Sequence, residues 1–399
     1  MRTAVVGGGA AGFFLAIQLK EICPTMEITI FERSQYVLRK VKVSGGGRCN
    51  CTNTFADVKD LSSVYPRGHR LMKRLMKGFD QNDAQIWFEN HGVLLTAQED
   101  QCIFPAAQDS QVIIDCFIRH SHKLGVEIIR GERINSLEQL AGFDFIALAT
   151  GGQPRATSLE WLAESGHEIV APVPSLFTFN INDSELHKLM GTVVENATVF
   201  LPGTKFRTNG PLLITHWGMS GPAILKLSSY AARHLAECNY HTTLAINWAS
   251  RNEGEVRSTL LELFAGQPNK QLTTLRPFGL PARLWNFVIS RTTDTTTICG
   301  KISAKTLNRI VAQITADTYT ITGRAAFKEE FVTCGGVALT SVNSSTLESK
   351  HIPHLYFCGE LLDIDGITGG FNFQAAWTTA TTVARAIAAG VTQSENTFA

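Results

Sequence analysis

The chain has 399 residues, which at about 150 residues per domain predicts two to three domains. Hydrophobic residues make up 44% and charged residues 18% of the sequence, a composition typical of globular proteins with a core large enough to need no disulfides. The formal net charge of +1 argues against a nucleic-acid-binding protein, which usually carries a basic face, unless basic side chains cluster locally.

The N-terminal segment and the cysteines favour a cytoplasmic protein. An uncharged run at residues 4–17 follows Arg2, but it contains four glycines, and no small-x-small cleavage motif follows it, so we do not expect a signal peptide. The sequence has no stretch of about 20 apolar residues that predicts a membrane span. The nine cysteines are scattered and form no C-x-x-C, which is typical of a reducing compartment. We expect a soluble chain with no membrane partner and no metal site.

The first predicted elements are a strand at 3–6, a glycine turn at 7–12, a helix at 13–21 and a second strand at 27–31. The turn fits G-x-G-x-x-G, and Glu32 follows 20 residues after Gly12. In such a unit Gly7 permits the tight turn, Gly9 lets a pyrophosphate approach, and Gly12 lets the helix pack on the strand. The helix N-terminus offers N–H groups to phosphates, and Glu32 can accept the ribose hydroxyls. This pattern predicts dinucleotide binding, with an empty glycine-rich turn as the alternative.

A second glycine loop favours FAD over NAD. Residues 39–53 read RKVKVSGGGRCNCTN, and the run at 45–47 would let backbone approach a flavin's ribityl chain closely. Arg48 is placed to neutralise a phosphate or the reduced flavin. The alternatives are a flexible surface loop and an idle arginine. A third apolar strand at 144–150 runs into Gly151 and Gly152, as in flavoproteins with two dinucleotide-binding domains.

The C-terminal region predicts a strand at 356–360, a glycine-rich loop, and a helix at about 373–389. Asn372 is a favoured N-cap and Gly390 a favoured residue just past a helix end. The positive end of this helix could face the N1–C2=O edge of a flavin, where negative charge gathers on reduction. The alternative is an ordinary C-terminal helix that follows a glycine loop.

Taken together, these motifs resemble the bacterial flavoprotein family described as BaiN-like, YhiN-like or aminoacetone oxidase-like, of the superfamily with two dinucleotide-binding domains. Matching segments lie along nearly the whole chain: GGGAAG at 7–12, KVSGGGRCNCTN at 42–53, IFPAAQDSQVI at 103–113, ATGG at 149–152, THWGMSGPAIL at 215–225, and VTCGGV, TLESK and LYFCGELLDIDGITGGFNFQAAW within 332–377. The chain departs from the family in a shorter loop after Gly152 and in Cys51, where relatives usually have an apolar residue.

The resemblance implies an α/β fold: a Rossmann-like FAD-binding domain interrupted by a β-barrel-like insert and a small helical cap. The expected boundaries are 1–190 and 331–399 for the split FAD domain, 191–250 and 312–330 for the β-rich insert, and 251–311 for the helical subdomain. Short strand-like segments from about residue 192 and helical runs within 251–313 are compatible with this division.

From the motifs and the resemblance we expect the FAD-binding residues to be Gly7, Gly9, Ala11, Gly12, Glu32, Arg33, Lys40, Ser44, Gly45, Gly46, Gly47, Arg48, Cys49, Asn50, Thr150, Gly151, Gly359, Glu360, Asp363, Gly369, Gly370, Phe371 and Asn372. Candidate catalytic residues are Thr215, His216 and Ser220, because a histidine just before a helix start can exchange a proton with a substrate. A structural turn at this position is the alternative.

Three functional classes remain open from the sequence. The leading one is an FAD-dependent oxidoreductase that acts through flavin N5 on a small or medium organic substrate, either reducing an enone-type bond or oxidising an amine. NAD(P)H is a candidate transient electron donor. The second class is a flavin-dependent RNA-modifying enzyme, which the near-neutral charge disfavours, and the third is a flavin-binding redox sensor without catalysis. The sequence does not address the oligomeric state.

Overall fold

A computed structural model describes residues 1–153, 155–325 and 332–398. The chain folds into two units, one formed by Met1–Pro174 with Glu330–Ala399 and the other by Ser175–Glu329. No helix in these described ranges combines the length and apolar character needed to cross a bilayer.

The N-terminal part of unit 1 contains the βαβ unit with the G-x-G-x-x-G turn and a small antiparallel sheet. Its elements are β1 (Arg2–Val6), α1 (Ala10–Ile22), β2 (Glu27–Glu32), α2 (Arg39–Gly47), β3 (Thr52–Asn53), α3 (His69–Leu75), α4 (Gln81–Asn90), β4 (Leu95–Ala97), β5 (Cys102–Pro105), α5 (Gln111–Lys123), β6 (Glu127–Arg130), β7 (Phe145–Leu148), α6 (Glu160–Glu164) and β8 (Ile169–Ser175).

Unit 2 is a barrel with a helical layer. Its elements are β9 (Phe179–Ile181), α7 (Ser184–His187), β10 (Val193–Phe200), β11 (Arg207–Ile214), β12 (Gly218–Ser220), α8 (Pro222–Tyr230), α9 (Ala232–Glu237), β13 (Thr242–Asn247), α10 (Glu253–Gly266), α11 (Ala282–Thr292), α12 (Ala304–Thr315) and β14 (Asp317–Arg324). The chain then returns to unit 1 with β15 (Val332–Val337), β16 (Leu355–Phe357) and α13 (Phe371–Phe398).

The central sheet of unit 1 is parallel, with strand order β16-β7-β1-β2-β6. Val6 at the end of β1 pairs with Phe31 and with Leu148, and Phe357 of β16 also pairs with Leu148. The carboxyl ends of four strands therefore meet at one edge of the sheet, which is where doubly wound folds bind their ligands.

Helices α1 and α13 pack closely together beside this sheet. A Cβ at Gly12 would overlap the carbonyl oxygen of Gly7, so only glycine lets α1 lie this close to the turn. The rings of Phe14 and Trp377 lie 4.9 Å apart and bring the two helices into one aromatic core.

Unit 2 closes six strands into a barrel in the order β10-β11-β12-β9-β14-β13. Apolar side chains from the strands and from α8, α10, α11 and α12 form one continuous core. The expected fold class, a Rossmann-like domain with a barrel insert and helices, is confirmed. The barrel begins earlier in the chain than the expected residue 191, because β9 supplies the strand that joins β12 to β14.

The last helix differs from the prediction at both ends. It begins at Phe371, so Asn372 lies inside its first turn and is not the N-cap. It also continues through Gly390, which does not end it. The positive φ of a terminating glycine is absent at Gly390, whereas Gly369 and Gly370, just before the helix, have φ of 124° and 89°.

Candidate functional site

The edge where the parallel strands end contains a recess in unit 1. It has a cavity volume of about 60 Å³ and is lined by Val6, Gly7, Phe31, Glu32, Arg33, Glu132, Arg133, Ile134, Asn135, Thr150, Gln153, Ser158, Leu159, Trp161 and Leu162. Gly7 has φ of 118°, and a Cβ there would overlap the backbone of Ala149. The first predicted glycine therefore forms the tight turn between β1 and α1, as expected from its position.

The start of α1 provides open backbone for a phosphate. Gly9 precedes the helix, and no described atom outside its chain neighbours lies within 4 Å of a Cβ built on it. The N-terminal N–H groups of a 13-residue helix follow directly. This combination of free backbone and a positive helix end is the arrangement that binds a pyrophosphate. Ala11, on the same turn, packs against Gly359.

Glu32 lies at the end of β2 with both carboxylate oxygens engaged by backbone. One oxygen accepts from the N–H of Gly8 at 2.9 Å and the other from the N–H of Ser34 at 2.8 Å. These two hydrogen bonds hold the carboxylate in a fixed orientation. Each oxygen keeps a second acceptor position, so Glu32 can still accept two ribose hydroxyls.

The second glycine loop interrupts α2. The helix breaks at Ser44, whose Oγ donates to Val41 O, and residues 45–47 all have positive φ. No described atom outside the chain neighbours lies within 4 Å of a Cβ built on Gly46 or Gly47. Gly46 and Gly47 thus leave open space beside their backbone that a side chain would occupy.

Arg48 and Asn50 fix this loop in place. The Arg48 guanidinium lies 4.2 Å from the ring centroid of Phe104 and donates to Gly45 O, and its role toward a phosphate or the reduced flavin stays a prediction. The Asn50 amide, in its favoured orientation, donates to Thr52 O and accepts from the N–H of Gly370. Asn50 therefore ties the glycine loop to the start of α13.

Cys49 and Cys51 are buried, reduced thiols. Their sulfur atoms are 3.8 Å apart, and burial raises the pKa of Cys51 well above its ordinary value. Cys51 therefore remains a protonated packing group near neutral pH. Cys49 has a φ of 62°, which continues the left-handed backbone of the glycine loop.

Glu360 joins three parts of the site. Its carboxylate pairs with Lys40 Nζ at 2.6 Å and accepts from the N–H of Thr333 at 2.8 Å. A Cβ at Gly152 would contact Glu360 Oε1 at 2.6 Å, so the ATGG segment packs directly against this carboxylate. Gly151, the preceding residue, has a φ of 70°.

Hydrogen bonds around the first turn of α13 hold the loop that precedes this helix. The Asn372 amide donates to Gly366 O at 2.9 Å and accepts from the N–H of Gly366 at 2.8 Å. Tyr65 donates to Phe371 O at 2.8 Å. Asp363 connects the loop to β15 through its N–H, which donates to Val337 O at 3.0 Å.

Sequence reasoning missed the buried ion pair beside this loop. Asp365 is fully buried, and both of its carboxylate oxygens accept from the guanidinium of Arg67, with Nε to Oδ1 at 2.5 Å. The family motif contains Asp365, but the partner lies 298 residues away in sequence. The motif also contains Glu360 and Asp363, so the sequence did not indicate which acidic residue would pair with a distant cation.

The three predicted catalytic residues lie in unit 2, in and after the turn from β11 to β12. Thr215 Oγ1 accepts from the N–H of Gly218 at 3.1 Å, which stabilises the turn. The His216 side chain is exposed and its ring lies 3.9 Å from that of Trp217. Ser220 hydrogen-bonds Thr178 at 2.8 Å. Thr215 and Ser220 thus have structural partners, and a catalytic role for the three stays a prediction.

The residues of unit 1 fit a flavin dinucleotide. The recess at the strand ends, the fixed Glu32 and the open backbone at Gly9, Gly46 and Gly47 supply places for an adenosine, a pyrophosphate and a longer polar chain. Within the described ranges, no group of three His, Cys, Asp or Glu side chains is arranged to hold a metal ion.

Comparison with known proteins agrees with this fit. Residues 1–386 match the HI0933-like protein Rossmann domain. The chain is 28% identical to a ribosomal RNA dihydrouridine synthase of Escherichia coli, with 94% of this chain and 95% of that protein covered. It is 26% identical to the protein of the same name in Haemophilus influenzae, with 94% and 96% covered.

A third relative is a 3-dehydro-bile acid delta(4,6)-reductase of Clostridium scindens, 26% identical over 97% of this chain and 99% of that protein. The match to the family domain spans nearly all of the chain, and it includes both glycine loops and the segment that begins α13. The chain therefore belongs to the HI0933-like Rossmann-domain family of FAD-dependent oxidoreductases.

Proposed function

We propose that the protein is an FAD-dependent reductase of carbon–carbon double bonds conjugated to a carbonyl group. The relatives carry names for different substrates but for one bond type: dihydrouridine is uridine with its ring double bond saturated, and a delta(4,6) bond system in a 3-dehydro steroid is conjugated to the ketone. The observation that carries the proposal is the open glycine backbone at Gly9, Gly46 and Gly47 in a chain that aligns with these relatives over 94–97% of its length.

Bound FAD would supply a hydride from N5 to the electron-poor carbon of such a bond. The chain's own residues would hold and polarise the cofactor. Glu32 would accept from the ribose, the α1 N-terminus would bind the pyrophosphate, and Gly46 and Gly47 would admit close contact along the backbone. The N-terminus of α13 carries a partial positive charge that would favour an anionic reduced flavin.

The second hydrogen must arrive as a proton. His216 is the predicted donor in this proposal, since an exposed histidine just before a helix start can exchange a proton with a substrate. Thr215 and Ser220 would support the turn that presents it. Replacement of His216 by glutamine would then slow turnover without changing the rate at which the flavin is reduced.

NADH or NADPH is the proposed electron donor. Anaerobic rapid mixing of the holoenzyme with each nucleotide tests this, since a competent donor bleaches the yellow flavin band. Bleaching by amines instead of either nucleotide would support amine oxidation, and resistance to all of them would support a redox sensor.

Uridine in RNA is a second, more specific candidate for the substrate. The net charge of +1 conceals an uneven distribution: residues 175–329 contain 16 Lys and Arg against ten Asp and Glu, whereas the rest of the chain is acidic. A basic unit attached to a flavin domain suits a polyanionic substrate better than the overall charge suggested.

Product analysis distinguishes the substrates. The reduced holoenzyme would be incubated with unmodified ribosomal RNA transcript or with a 3-keto steroid diene, and the digested or extracted products weighed by mass spectrometry. A gain of two hydrogens in uridine supports the RNA candidate, and the same gain in the steroid alone supports a small organic substrate.

A further inference from the structure

Unit 2 contains a recess that the flavin chemistry does not use. It lies where the end of α11 meets α12 and the start of β14, and its volume is about 260 Å³. Two arginines line it, Arg291 from α11 and Arg309 from α12, together with the polar side chains of Gln313 and Thr318.

A buried carboxylate, that of Asp317, also lines this recess. Asp317 is fully buried at the start of β14 and accepts hydrogen bonds from Trp248 Nε1 at 2.9 Å and from the Tyr319 hydroxyl at 2.7 Å. These two donors come from the core of the barrel and hold the carboxylate in one orientation. A buried, fully hydrogen-bonded carboxylate can in turn orient the side chains that donate to it.

The two side chains that Asp317 orients both face the recess. Arg291 donates to Asp317 Oδ1 at 3.0 Å and to the Tyr319 hydroxyl at 3.2 Å through the same terminal nitrogen, and about 35% of its side chain stays exposed. The Gln313 amide also donates to Asp317 Oδ1. Arg291 therefore presents a fixed guanidinium edge whose other nitrogens remain available.

Arg309 adds a positive charge that nothing balances locally. Its side chain is exposed, and no carboxylate in the described ranges pairs with it. The charge of Arg291 is offset by Asp317, and the nearby Asp183 carboxylate is occupied by the N–H groups at the start of α7. Lys305, one helical turn before Arg309, is exposed on the same side of α12.

We propose that this recess binds a phosphate group of RNA. A guanidinium held in place by a carboxylate, facing a second guanidinium, matches the geometry and charge of a tetrahedral oxyanion. The assignment of the phosphate to RNA rests on the RNA candidate above and on the basic character of unit 2, whereas the phosphate site itself depends only on the recess.

Binding measurements on the FAD-loaded protein test the proposal without turnover. A fluorescent uridine-rich RNA oligonucleotide is titrated by anisotropy at several salt concentrations, and inorganic phosphate is tested as a competitor. We expect Arg309→Gln to weaken RNA binding about fivefold or more and to lower the salt slope by roughly one unit. Arg309→Lys keeps the charge and should restore much of the affinity.

Two further variants locate the effect. Asp317→Asn should weaken RNA binding although it removes a negative charge from the lining of the recess, because Arg291 loses its fixed orientation, and its folded fraction is measured by thermal unfolding. Arg257→Gln is the matched control, since Arg257 hydrogen-bonds Asn308 on α12 and does not line the recess. It should leave the affinity within twofold of the parent.

Equal RNA affinity and salt slope for Arg309→Gln and the parent would overturn the proposal. Binding of inorganic phosphate without any effect of Arg309→Gln on RNA would overturn the assignment to RNA. If Arg309→Gln weakens RNA binding but the parent never reduces uridine, the phosphate site is supported and the proposed reduction of RNA is wrong. Failure of the site and failure of the proposed function therefore give different results.

Discussion

We expect the Glu32 carboxylate to bind the ribose of the cofactor. Its carboxylate is fixed by the N–H groups of Gly8 and Ser34, so the acceptor positions that remain are already oriented before a ligand arrives. We predict that Glu32→Ala weakens FAD binding by on the order of 2–4 kcal/mol, the cost of two charge-assisted hydrogen bonds. Titration of the apoprotein with FAD, followed by flavin fluorescence, measures this.

The control for Glu32 is Glu27→Ala on the same strand. Glu27 is exposed and its nearest cation, Arg2, lies 3.7 Å away at the surface, so its loss should leave FAD affinity unchanged. Equal FAD affinity in Glu32→Ala and the parent would show that Glu32 is not the ribose acid.

Substitutions at Gly46 and Gly370 test cofactor binding and fold stability separately. A Cβ on Gly46 meets open space, so Gly46→Ala should cost only the strain of its positive φ, about 1–2 kcal/mol, while it obstructs a flavin. A Cβ on Gly370 would overlap the carbonyl of Thr52, so Gly370→Ala should destabilise the fold itself. Gly46→Ala should therefore lower the FAD content more than the unfolding temperature, and Gly370→Ala should lower the unfolding temperature more than the FAD content. Both quantities are measured on both variants.

Two outcomes would contradict this division. Full FAD content in folded Gly46→Ala would show that the glycine loop does not touch the cofactor, and a normal unfolding temperature for Gly370→Ala would show that α13 tolerates displacement. Because of the overlap with Thr52, a larger residue at Gly370 would disrupt the fold, so its effect on the flavin potential could not be measured in an intact protein.

At the scale of residues, local spacing could be predicted and distant pairing could not. The roles of Gly7 and Gly12 follow from a six-residue motif next to a strand, where backbone geometry alone requires glycine. Lys40 and Glu360 are 320 positions apart, and Arg67 and Asp365 are 298 apart. Only the folded sheet and the return of the chain into unit 1 bring such partners together.

At the scale of elements, β1, α1 and β2 agree with their predicted positions, whereas α13 does not. Its first turn is set by tertiary contacts: Tyr65 donates to Phe371 O, and Trp377 Nε1 donates to Cys51 O at 2.8 Å. Asn372 is therefore used to close the preceding loop rather than to cap the helix. The cap preference of asparagine predicted the region of the helix start but not its residue.

His167 connects the segment after α6 to the loop before β16 and should make stability depend on pH. Its Nε2 contacts Ser349 Oγ at 2.8 Å, its Nδ1 contacts Leu162 O at 3.1 Å, and burial lowers its pKa from the ordinary value of 6.5. The unfolded chain then binds a proton more readily than the folded one, so stability falls as pH drops from 7 through 6.5 and below.

The change His167→Gln should reduce this loss of stability on acidification. Chemical unfolding of both proteins at pH 7.5 and pH 5.5 measures it, and a residual slope is expected from His120, whose pKa is also lowered by burial. An identical pH dependence in the variant and the parent would exclude His167 as a source.

At the scale of the whole molecule, the chain combines an acidic cofactor unit with a basic barrel unit. We predict that the purified protein is yellow and that acid releases FAD rather than FMN. FAD carries an adenosine that the recess lined by Glu32 and Trp161 would bind, and FMN has none. Chromatography of the released cofactor decides this. Released FMN, or a colourless protein that takes up no FAD, would remove the basis for the account.

The most direct test of the central claim is a single turnover of the reduced enzyme. The holoenzyme is reduced without oxygen and mixed in turn with uridine-containing RNA, a 3-keto steroid diene and the saturated form of each. The account predicts that the yellow band returns with at least one conjugated substrate and with neither saturated form. A flavin that stays bleached with both conjugated substrates, while amines bleach the oxidised enzyme, would contradict it.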